Sequence, residues 1–70
     1  MKQLFAVVEC ADESGGLPAP IGSIVEVVLN DDFTLDNFIH ARTEDWVLVK
    51  GSQGKRILAR KLQLKDFWVA

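Results

Sequence analysis

Short apolar runs rich in β-branched and aromatic residues recur along this chain between turn-forming stretches, and they predict strands. In "LFAVVEC", residues 4–10, Leu4, Ala6, Val8 and Cys10 fall on one face and Phe5, Val7 and Glu9 on the other. "IGSIVEVVL", residues 21–29, predicts a second strand, with Glu26 flanked by valines. "DWVLVK", residues 45–50, predicts another, and "GSQG" follows, a four-residue connection with glycine at both ends. Over 55–64 the apolar residues spread around most of a helical wheel, so an amphipathic helix fits badly. As a strand, Leu58, Leu62 and Leu64 share one face, with Arg60 among them, and Ile57, Ala59, Lys61 and Gln63 share the other.

Between these runs the chain is punctuated. Gly15, Gly16, Pro18 and Pro20 make "ADESGGLPAP" a long surface loop. "NDD", residues 30–32, reads as a turn, because Asn and Asp side chains bond their own backbone. Residues 33–42 are compatible with two readings. Leu35, Phe38, Ile39 and Arg42 have helical spacing with Thr34 as a cap, yet "NFIHAR" also reads as a strand, and the strand over 37–42 is the preferred expectation. "KDFWVA" reads as a last turn and a short terminal strand. Five short strands with turn signals between them predict one all-β domain over residues 1–70, a small barrel with a central hairpin at 45–61.

The order of features resembles a small SH3-like barrel. "LFAVVECAD" resembles its first strand, "ESGGLPAP" its long first loop, "IGSIVEVVLNDD" its second strand, "DWVLVKGSQGKRILARKL" its central hairpin and "KDF" the short helical turn before the last strand. The chain has no tyrosine, Trp46 is followed by Val47, and no proline precedes the last turn. The polyproline binding of peptide-recognising SH3 domains therefore does not carry over, and architecture alone does not fix function.

Composition narrows the possibilities. A chain of 70 residues buries only about 60% of its extended surface. One cysteine, Cys10, cannot close an internal disulfide, and Cys10 with the single His40 cannot make a four-ligand zinc site. No metal and no cofactor are expected. The apolar run after Lys2 is interrupted at Glu9, too early for a signal peptide, and no stretch reaches the ~20 apolar residues of a membrane span. With an unpaired thiol this predicts a cytoplasmic protein.

An enzyme is not expected. Cys10 and His40 are the only nucleophile–base pair available, and Cys10 lies on an apolar face as a small hydrophobe. Asp31–Asp32 and Glu44–Asp45 read as solvated turn acids, and "GSQGKR" lacks the spacing of a phosphate-binding loop.

Charge is segregated along the chain. Residues 1–45 hold nine acids and two bases, net −7, and residues 46–70 hold six bases and one acid, net +5, giving −2 in all. Hydrophobic residues make up 49%, including four Phe and two Trp. A small core with aromatic excess points to an interaction module that binds a protein partner or itself as a homo-oligomer. The candidate contacts are Leu17, Pro18, Trp46, Arg56, Arg60 and Trp68. The alternative is nucleic-acid binding through Lys50, Lys55, Arg56, Lys61 and Lys65, with Trp46 or Trp68 stacking on bases. The pI of about 5.1 opposes that alternative, since dedicated binders tend to exceed about 9.

Overall fold

The computed structural model describes residues 2–70, and for Ser52 the backbone only. Met1, where the expected domain begins, lies outside the described residues. The fold is all-β, a single five-stranded antiparallel sheet in the order β4-β3-β2-β1-β5. The strands are β1 (Leu4–Val8), β2 (Ile24–Val27), β3 (Trp46–Lys50), β4 (Arg56–Arg60) and β5 (Leu64–Val69). The radius of gyration, 10.9 Å, is that of a compact domain of this length. No helix among the described residues is long and apolar enough to cross a membrane.

Alternation builds the core. Leu4, Ala6 and Val8 of β1, Val25 and Val27 of β2, and Val47 and Val49 of β3 all point inward and are buried. Ala59 of β4 and Leu64 of β5 complete the sheet's contribution. Each buried Val or Leu contributes about 1.5–3 kcal/mol relative to exposure. Most of these side chains are small, so the strands need a large residue from elsewhere to fill the interior. Phe38 supplies it, meeting Phe67 edge-on at 4.8 Å and Phe33 at 6.4 Å between ring centroids.

Phe38 lies on a helix, which corrects the preferred strand reading of 37–42. The helix α1 spans Leu35–His40. Thr34 Oγ1 accepts from Asn37 N–H, and Asn37 Oδ1 accepts from Thr34 N–H in return, a reciprocal cap. Six residues cannot hold a helix alone. Lys61 completes it from outside, its ammonium donating to the carbonyls of Phe38 (2.8 Å), Ile39 (3.1 Å) and Ala41 (3.1 Å). The turn at 30–32 forms as the sequence predicts, Asn30 Oδ1 accepting from Asp32 and Phe33 N–H at 2.8 Å each.

Two further expectations change. The strand expected over 55–64 stops at Arg60, and Lys61–Gln63 form a 3₁₀ turn. The short helical turn before the last strand is therefore "KLQ", not "KDF", and 64–69 is strand. Within β4 the cross-strand pairs decide the faces. Ala59 lies opposite buried Val47 and points in, while Leu58 lies opposite Leu48 and points out, 61% exposed. Leu58, Leu62 and Leu64 do not share a face, because the 3₁₀ turn breaks the two-residue period. In β5 a bulge at Asp66, with φ 54°, places two residues against Ala6 of β1. The bulge sends Phe67 toward Phe38 and Trp68 onto Phe5, where the rings stack at 5.6 Å.

Candidate functional site

The long β1–β2 loop does not drift free. Its tip is a turn closed by Gly15 N–H to Asp12 O and Asp12 N–H to Gly16 O. Its first half is tied to the 3₁₀ turn by Gln63, which is 1% exposed. Gln63 Nε2 donates to Cys10 O (3.2 Å) and Gly16 O (2.9 Å), and its Oε1 accepts from Arg60 N–H (2.9 Å). Pro18 and Ala19 are buried where the loop crosses the β3–β4 hairpin. Gly51 permits that crossing, since a Cβ there would overlap the Pro18 carbonyl oxygen.

With the loop anchored, Trp46 becomes one wall of a cleft. Trp46 opens β3 and is 49% exposed. Its cross-strand partner Arg60 places its guanidinium 4.5 Å over the indole. Arg60 Nε donates to Asp12 Oδ1 at 2.9 Å, and Nη1 donates to Glu44 O at 3.1 Å. Asp12 also accepts from Ser14 Oγ at 2.8 Å. That hydroxyl holds the Asp12 carboxyl below its ordinary range, helped by the N–H groups of Glu13 and Ser14 and by Arg60, against the opposing effect of burial. The cleft, about 160 Å³, lies between Leu17 and Pro18 on the loop side and Trp46, Ile57 and Leu58 on the sheet side. It is smaller than the roughly 300–1,000 Å³ of small-molecule pockets.

Of the residues expected to bind a partner, the structure brings together Leu17, Pro18, Trp46 and Arg60. Pro18 is buried, so it shapes the cleft from beneath. Arg56 lies at the other end of the hairpin, opposite Lys50. Trp68 is on β5 and lines a separate cavity of about 340 Å³ with Leu35, Phe38 and Ile39. Leu58 and Asp12 belong to the cleft although sequence reasoning passed over them. Leu58 was legible only through its register opposite Leu48.

The basic set divides as well. Lys50 and Arg56 are cross-strand partners, and Lys55 sits beside them at the turn. Lys61 is occupied by the carbonyls of α1 and stands 5.0 Å over the Phe38 ring. Lys65 lies on β5, the strand at the opposite edge of the sheet. Cys10 Sγ, half-buried, donates to Leu62 O at 3.8 Å, and His40 Nδ1 is 2.9 Å from Asp36 O. Among the described residues no three His, Cys, Asp or Glu side chains converge as a metal site would require. No protein-family model, curated protein or solved structure matches the chain.

Proposed function

We propose that the chain is a non-catalytic interaction module that binds a protein partner, which includes a second copy of itself, through the cleft between the β1–β2 loop and the β3–β4 hairpin. The observation that carries this reading is Trp46, half exposed and fixed by Arg60 beside exposed Leu17 and Leu58. Exposed aromatic anchors held in one rotamer lose little entropy on binding and are typical of interface hot spots. A partner segment would lay one large apolar side chain between Leu17 and Trp46. The sheet is read as an SH3-like barrel. The support is its strand order, its long first loop and the 3₁₀ turn before the last strand. The lone thiol of Cys10 suits a reducing, cytoplasmic setting.

The test is selection of peptides from a random display library on the full chain, followed by amide-shift mapping of the winners. Shifts at Leu17, Trp46 and Leu58, with binding lost in a folded Trp46→Ala variant, support the cleft. Peptides that bind equally well to that variant, or shift only residues outside the cleft, would retire it.

A further inference from the structure

A second cavity, about 450 Å³, lies away from the Trp46 cleft and is lined by Lys2, Gln3, Glu26, Val28, Lys50 and Arg56, among others. Lys50 and Arg56 are directly opposite each other on β3 and β4. Gly51 N–H donates to Lys55 O, so the Lys50–Arg56 pair falls at the next, non-hydrogen-bonded position, where facing side chains come closest. Like charges at such a position destabilise a sheet. Glu26 is the register partner of Lys50 on β2. Yet among the described residues the ion pairs are Arg42–Glu44 and Arg60–Asp12, and none joins Glu26 to Lys2, Lys50 or Arg56.

The contrast with the other bases is informative. Arg60 and Lys61 are locked into carboxylate, carbonyl and ring contacts. Lys2, Lys50 and Arg56 instead face a common concavity whose floor is the half-buried Val28 and Leu29. Three cations and one acid leave a surplus of two positive charges. We infer that this cavity binds a small phosphomonoester. Its phosphate, with a charge of about −1.5 to −2 at neutral pH, seats between Lys50, Arg56 and Lys2. Its organic body covers Val28 and Leu29. Arg56 supplies a fork of N–H donors suited to phosphate oxygens. Glu26 accepts from a ligand hydroxyl, and the volume of about 450 Å³ is that of a small-molecule site, which favours a compact monoester over a nucleic-acid strand.

The experiment is an amide-shift titration of the full chain with adenosine monophosphate, inorganic phosphate, adenosine and a single-stranded oligonucleotide. Adenosine monophosphate and phosphate are expected to shift Val28, Lys50, Gly51 and Arg56 saturably, and adenosine is not. Lys50→Gln with Arg56→Gln should weaken binding at least about tenfold while leaving the rest of the spectrum intact. No saturable shift with either phosphate probe, equal binding by the double variant, or binding of the oligonucleotide alone would each overturn the proposal. A melting experiment adds an independent reading. Arg56→Gln without ligand should melt higher than wild type at low salt, and a lower melting temperature would remove the like-charge argument.

Discussion

Arg60 stands over its cross-strand partner Trp46 at 4.5 Å and reaches 48 residues back along the chain to Asp12 at 2.9 Å. One side chain therefore sets both the orientation of the indole and the position of the loop facing it.

The Asp12 end of the contact is testable by pH. Its carboxyl is held below the ordinary range, chiefly by Ser14 and in part by Arg60. A lowered folded-state pKa means that the stabilisation is complete above the unfolded value of about 3.9. It is lost as pH falls through the lower folded value. Asp12→Asn should be less stable than wild type at pH 7, and the gap should close on acidification. Denaturant melts of both proteins between pH 7 and pH 2 measure this, and a gap that ignores pH would show that Asp12 acts through shape alone.

Gln63 offers the opposite sign. Its amide donates to two carbonyls, those of Cys10 and Gly16, from a site 1% exposed. Gln63→Glu replaces the donor with a carboxylate oxygen aimed at those carbonyls. The variant should lose about 2–4 kcal/mol at neutral pH. Its introduced carboxyl would have a raised pKa, because only the protonated form donates. Part of the loss is then recovered below the unfolded value of about 4.3 and returns as pH rises through the folded value. Equilibrium unfolding at pH 4 and pH 7 separates this from simple overpacking, which would not titrate.

Lys61 is expected to matter for α1 rather than for any ligand. Lys61→Met keeps the aliphatic stem and removes three hydrogen bonds to the helix carbonyls. The cost should be about 1.5–3 kcal/mol. Amide exchange at Phe38 and Ala41, whose N–H groups bond Thr34 O and Phe38 O, should accelerate more than exchange in β3. Uniform acceleration would mean that α1 does not open as a separate unit.

Gly51→Ala should be costly although its backbone is not in the left-handed region. The added methyl overlaps Pro18 O, so the loop must lift from the hairpin. A loss of about 1–3 kcal/mol follows from overpacking of this kind. Trp46 fluorescence should change with it, because the loop wall of the cleft moves. An unchanged melt would show that the loop has room to shift.

Most of the sheet was legible from short apolar runs in which every second residue is buried, and in β2 and β3 those buried residues are all valines. The helix was harder to read. It has a cap at Thr34 and one buried anchor, Phe38, and six residues give no repeat of a 3.6-residue period. Its C-terminal partner, Lys61, lies 20 or more residues further on. Within β4 the grouping of Leu58 with Arg60 and of Ile57 with Ala59 was legible, but the 3₁₀ turn at Lys61–Gln63 that ends it was not, because no glycine, proline or acid marks it. For the cleft, Trp46 and Leu17 were legible as large apolar residues at turn boundaries. Its cohesion was not, because Asp12, Arg60 and Gln63 are polar residues of an ordinary kind until the fold brings them together.

Residues 3 and 70 are bonded to each other in both directions, Gln3 N–H to Ala70 O and Ala70 N–H to Gln3 O, next to the Leu4–Val69 pair of β1 and β5. Tension applied through these two residues would pull the paired strands apart from their open end. The hydrogen bonds would then break one after another, not all together as in a shearing geometry. Pulled this way, the β1–β5 pair opens at a lower force than the same bonds loaded in shear.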